Sequence, residues 1–133
     1  MRILFIIISV LTASFANAKE EIDLSSPEVT LSGYIACFKT ANVKCVLKRY
    51  HGKNNFQINE AHSTKYKIVK KIVYSSKEVK SWNSKGIVPA SEVGDIELQV
   101  QQEFLGYKGM WSYNFRKINS NWYIISHSAW GVD

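Results

Sequence analysis

The chain has 133 residues, with 17 Lys and Arg against 11 Asp and Glu and a formal charge of +6 at pH 7. That length suits one domain with one core and is too short for two. The basic excess favours anionic partners, but the lysines are scattered, with groups at Lys65, Lys67, Lys70, Lys71 and at Lys44, Lys48, Arg49, Lys53 that read as solvated faces; no nucleic-acid reading module accompanies them, so no nucleic acid is expected as a partner.

Residues Met1–Ala18 read as an export signal. Arg2 supplies the positive n-region, Ile3–Leu11 is apolar apart from Ser9, and Ala16-Asn17-Ala18 fits the small-x-small cleavage pattern. The apolar run is about half of the roughly twenty residues needed to cross a bilayer, and no later stretch is long enough either, so no membrane span is expected. The working protein is expected to begin at Lys19 as a single domain, Lys19–Asp133, exported to the periplasm or secreted.

Lys19–Leu24 reads as a loose polar leader. Ser25-Ser26-Pro27-Glu28 then opens a helix, with a serine N-cap, Pro in the first turn and Glu28 where a capping box would place it. Leu31, Tyr34, Ile35 and Phe38 share one face at helical spacing, predicting a helix to about Thr40. Val43, Val46, Leu47 and Tyr50 repeat that spacing in a second helix that closes at His51-Gly52, and Lys53–Thr64 is turn-rich and irregular. The only two cysteines, Cys37 and Cys45, lie across the junction. Eight residues along an unbroken helix rise about 12 Å, too far for a disulfide. Pairing therefore requires a chain reversal, for which Thr40-Ala41-Asn42 is suited. A disulfide is the expectation in an exported chain, and two buried free thiols are the alternative.

From Lys65 the period changes to two. Tyr66, Ile68, Ile72 and Tyr74 share one phase, interrupted by Lys70, while Val69 and Val73 take the other. Ser76–Trp82 reads as a helical turn and Asn83–Gly94 as a connection. Ile96, Leu98, Val100, Gln102 and Phe104 alternate with Glu97, Gln99, Gln101 and Glu103, the pattern of a strand with one face covered and one in water. Tyr107-Lys108-Gly109 reads as a hairpin turn. Met110–Ile118 and Trp122–Trp130 are the last strands, joined by a turn at Asn119-Ser120-Asn121. Two helices followed by an antiparallel meander predict an α+β fold, with the N-terminal helices packed on one face of a curved antiparallel sheet.

The opening helix Pro27–Phe38, the phrase Lys39-Thr40-Ala41-Asn42-Val43 before a second helix, and the closing pair Tyr113-Asn114-Phe115-Arg116-Lys117-Ile118 and Trp122-Tyr123-Ile124 across a polar turn occur in the order of the nuclear transport factor 2-like superfamily, which this chain resembles. The missing clear third helix is a departure from that pattern. The resemblance implies a cone-like α+β fold with a cavity between the helices and the concave sheet face. It further suggests a homodimer through the exposed sheet face. It names no activity, since the superfamily includes isomerases, dehydratases and hydrolases as well as non-catalytic binding and accessory domains.

No catalytic motif is present. His51, His62 and His127 lack metal-ligand spacing, there is no CxxC pair, no glycine-rich phosphate loop and no nucleophile elbow, and no metal or cofactor is expected. The isomerase carboxylates of the superfamily carry over to no matching position. Tyr34, Trp111, Tyr113 and His127 are the candidate ligand-binding residues. Glu103 is weaker, because its phase faces water. Trp82 and Trp130 are further surface candidates. If the face of His127, shared in phase with Tyr123, Ile125 and Ala129, is concave, the imidazole could act as acid or base near neutral pH. The leading expectation is a small exported binding or accessory protein, non-catalytic, with an aromatic-lined cavity for a small apolar ligand or a surface for a protein partner, for example of immunity or inhibitor type. An isomerase- or hydrolase-type enzyme using His127 is the alternative.

Overall fold

The first helix, α1 (Pro27–Cys37), starts at Ser26, whose Oγ accepts a hydrogen bond from the Val29 amide at 3.2 Å, with Pro27 at the first helical position. The computed structural model describes residues 22–52, 56–84, 90–104 and 106–131, of 81–84 and 104 the backbone alone; the expected signal Met1–Ala18 and the side chain of the surface candidate Trp82 lie outside what is described. With Ser26 as the cap, Glu28 falls one position short of a capping box. Its carboxylate instead accepts from Lys71 Nζ at 2.7 Å. Leu24, expected in a loose leader, is buried, and its carbonyl accepts from the Trp122 amide.

A single 3₁₀ turn, Phe38–Thr40, and Ala41 in the left-handed region reverse the chain. The short helix α2 (Val43–Leu47) follows, capped by the Asn42 side chain on the Cys45 amide. This reversal brings the Cα atoms of Cys37 and Cys45 to 5.5 Å, and the two are paired as a disulfide. Arg49 Nη1 donates to the Cys45 carbonyl at 2.9 Å and lies 3.3 and 3.5 Å from the two sulfurs. Its side chain lies against α1 at Gly33, where an added Cβ would press on Arg49 Nε and make the guanidinium shift. The second helix is shorter than expected because Arg49–His51 pair with the sheet: the Ile124 amide donates to the Arg49 carbonyl and the His51 amide to the Ile124 carbonyl.

Strands β1 (Lys65–Val73), β2 (Ile96–Phe104), β3 (Tyr107–Ile118) and β4 (Asn121–Trp130) form an open antiparallel meander in the order β1-β2-β3-β4, and a third helix, α3 (Ser76–Ser84), follows β1. The observed fold is thus α+β. The β2–β3 reversal comes earlier than expected. Phe104 pairs with Tyr107, so Tyr107-Lys108-Gly109 belongs to β3, and the turn lies around Gly106, whose φ of 80° suits a glycine.

Two bulges rearrange the strand faces. Ile68 pairs with Val100 and Lys70 with Gln99, leaving Val69 as an extra residue. One added residue exchanges the two faces for everything beyond it. Tyr66 and Ile68 therefore lie on the face of α1 and Ile72 and Tyr74 on the other, although all four share one phase in the sequence. The same flip turns Lys71 toward Glu28. In β4, Ile125 is the extra residue between Ile124, opposite Phe115, and Ser126, opposite Asn114. His127 consequently shares its face with Ile124, not with Tyr123 and Ile125 as a continuous strand would have it.

The core forms under α1 and α2. Leu31, Tyr34, Ile35 and Cys37 from α1, Val46 from α2, Ile96, Leu98 and Val100 from β2, Tyr113 and Phe115 from β3 and Ile124 from β4 make one buried cluster. Thr30, also buried, donates its hydroxyl to the Trp122 carbonyl at 2.8 Å and so ties α1 to the start of β4.

Candidate functional site

Three of the four candidate residues meet on the helix-covered face. Tyr113 and His127 are register partners on β3 and β4, and Tyr34 of α1 sits above them, 5.8 Å from Tyr113 and 6.5 Å from His127 between ring centroids. The His127 ring stacks on both Tyr113 and Phe56, and its Nδ1 lies 2.9 Å from the Tyr50 hydroxyl. Trp111, on the same face and opposite Ala129, is half-buried against the core. Phe56, in a segment with no periodic signal, was not foreseen as a member of this cluster.

Burial governs its chemistry. The phenols of Tyr34 and Tyr113 are pushed well up, and that of Tyr50 to about 12. Although His127 as a residue is exposed, desolvation of its ring within the cluster pushes the imidazole below its usual value, which favours the neutral form. With the Tyr50 hydroxyl as donor to Nδ1, the imidazole proton sits on Nε2. Its ring neighbours are aromatic, and among the described residues no carboxylate hydrogen-bonds it as the orienting partner of a general base would. Tyr113 donates its hydroxyl to the buried Gln102. Tyr34 and Tyr113 are themselves buried, so the rings occupy the space between α1 and the sheet.

An open groove of about 480 Å³ lies on the opposite sheet face. Of the four candidates only His127 borders it. Its floor comes from β2, β3 and β4: Glu97 and Gln99, Ser112 and Asn114, Ser126 and Ser128. Ile72, Ile125 and Trp130 supply apolar walls. Trp130 is 46 % exposed, and its indole N–H donates to Ser112 Oγ at 2.9 Å, which fixes the ring over the floor. Asn114 donates to Ser126 Oγ and accepts from the Tyr74 hydroxyl, so much of the polar floor is already ordered. Glu97, expected in water, is buried because Tyr74 folds over it. Its carboxylate accepts from Gln99 Nε2 at 3.0 Å and, weakly, from the Tyr74 hydroxyl at 3.4 Å. Burial, with Glu97 beside it, pushes the Tyr74 phenol well up.

One end of the groove is closed by Glu78 of α3 and by Ser91 and Asp95. Asp95 takes a two-pronged grip from Arg116, Nε to Oδ1 at 3.0 Å and Nη2 to Oδ2 at 2.8 Å, while Arg116 also donates to the Ala90 carbonyl. That clamp holds the segment before β2 against β3. A shallower pocket of about 250 Å³, lined by Lys65, Lys67, Glu103 and Lys108, lies toward the β2–β3 turn and is basic where the groove is not. The signal that could have revealed the groove is the run of short polar side chains, Ser112, Asn114, Ser126 and Ser128, at adjoining register positions: small hydroxyl and amide groups leave volume above a sheet that lysines or glutamates would fill.

Among the described residues, no group of three His, Cys, Asp or Glu side chains is placed to hold a metal ion, and no helix is long and apolar enough to cross a membrane. Comparison with protein families, with curated proteins and with solved structures finds no match.

Proposed function

We propose that this chain is an exported, non-catalytic binding or accessory protein whose ligand site is the groove over Glu97, Gln99, Ser112 and Ser128. The observation that carries the reading is a preformed concavity of about 480 Å³, with apolar walls and a few convergent polar groups that hydrogen bonds already hold in place. The reading keeps the expected class and relocates the site. The aromatic cluster of Tyr34, Tyr113 and His127 then serves mainly to hold α1 on the sheet, and Trp111 packs beside it. The His127 environment, neutral and lacking a carboxylate partner, supports a binder over an acid–base enzyme. Export is supported by the Met1–Ala18 pattern and by the Cys37–Cys45 pair. Two helices ahead of an antiparallel meander, with an aromatic core between them, also support kinship with the nuclear transport factor 2-like architecture.

Native mass spectrometry of the protein purified without denaturation from its own cells tests this reading. A retained small molecule that Trp130→Ala releases, with the thermal melt unchanged, is the expected result. Retention unaffected by Trp130→Ala but lost in Tyr34→Phe or His127→Gln would move the site to the other face and overturn it.

A further inference from the structure

We infer that the groove takes a small organic cation, a primary ammonium or guanidinium on an apolar stem; this rests on the reading of the groove as the ligand site. The argument begins with Glu97. The residue is only 5 % exposed, yet among the described residues no lysine, arginine or histidine pairs with its carboxylate. Buried carboxylates are ordinarily matched by a cation, because desolvation of the charge otherwise goes uncompensated. The two hydrogen bonds it accepts come from neutral groups, an amide and a phenol.

The charge distribution points the same way. In a chain of 17 Lys and Arg against 11 Asp and Glu, the described residues that border the groove include Glu78, Asp95 and Glu97 and no lysine or arginine. Asp95 is neutralised by Arg116, and Glu78 caps the Ser75 amide. Glu97 is therefore the carboxylate left for a ligand. Trp130, bordering the same groove, adds an aromatic ring that can attract a cation, and Ile72 and Ile125 suit an alkyl stem. The serine hydroxyls of the floor supply acceptors for the remaining N–H groups.

The test is an amide-resolved NMR titration of the full domain with n-pentylamine, 1-pentanol and pentanoate at pH 7. Pentylammonium is expected to shift the amides of Gln99, Ser112 and Ser126 and to bind at least tenfold tighter than pentanol, with pentanoate leaving them unmoved. Glu97→Gln should bring amine and alcohol to within about twofold of each other while pentanol binding stays unchanged. If that variant fails to fold, the three-probe series on the unaltered protein decides alone. A blocked Gly-Lys-Gly peptide separates the two sources of this chemistry: tighter binding than pentylamine assigns the site to a partner's lysine side chain, weaker binding to a free amine, and either supports the inference. Amine and alcohol shifting the groove equally would overturn the cation while leaving the groove as the site. Shifts confined to residues elsewhere, or none, would overturn both.

Discussion

On the face beneath α1, β2 and β3 present Leu98, Val100, Tyr113 and Phe115; on the other face the same strands present Glu97, Gln99, Ser112 and Asn114. Both faces bury groups, by different means. Under the helix, burial is apolar and filled, so stability follows from area removed from water and from close packing. Above the groove, burial is polar and held by specific hydrogen bonds, leaving an open volume that contributes little to stability. A fold this small can keep a groove open on one face because the opposite face carries the core.

The comparison breaks most sharply at Phe115. Fully buried, it should cost about 3–5 kcal/mol when changed to alanine, read by chemical denaturation. Ser128→Ala, on the groove side, should stay within ~0.5 kcal/mol. Similar losses for the two would erase the distinction. Reduction of the Cys37–Cys45 disulfide, which closes a short loop, should lower stability by about 2–3 kcal/mol, measured by melts with and without reductant. Two thiols that label in the native protein before reduction would remove that contribution. Thr30→Val deletes the donor to the Trp122 carbonyl and should cost ~1 kcal/mol, with an amide exchange increase localised to the start of β4.

The smallest effect is set by pH. Burial lowers the His127 pKa in the folded state, so the unfolded chain binds the proton more readily. The associated stability is complete above the ordinary value of 6.5 and declines as pH falls through the folded-state pKa. Melting temperature should drop on acidification from pH 7.5 to 5, and less steeply in His127→Phe. Parallel pH profiles for the two proteins would show that this imidazole is not desolvated on the helix face.

Much of the architecture was legible in the sequence because it follows from local signals: Pro27 behind a serine cap, the 3.6 spacing of Leu31, Tyr34 and Ile35, and the strict alternation from Ile96 to Gln102. The chain reversal between Cys37 and Cys45 was also legible, since a disulfide across a straight helix is geometrically impossible. What stayed hidden were Val69 and Ile125. The first shows in the hydrophobic periodicity only as the interruption at Lys70 and the second not at all, because an apolar residue fits either side of a bulge. Each nonetheless decides which face every later side chain occupies. The groove was hidden for the same reason: Ile72 and Tyr74 read as core partners of Ile68 until the bulge carries them across the sheet. Glu97 read as a solvated residue, since alternation reports which face a side chain takes and not what folds over that face.

The bulge at Val69 has one more consequence, for how molecules of this protein meet each other. β1 is the outer strand of the meander, and it carries Lys65, Lys67, Lys70 and Lys71 along nine residues. An open strand invites edge-to-edge pairing with a second copy, which would have to bring two rows of ammonium groups together across an irregular backbone. At physiological ionic strength, repulsion acts over about 8 Å, and at 1 M salt over about 3 Å. Colloidal stability should therefore fall as salt rises, with growth starting at this strand, and replacing Lys67 and Lys70 by Thr should bring aggregation on at lower salt.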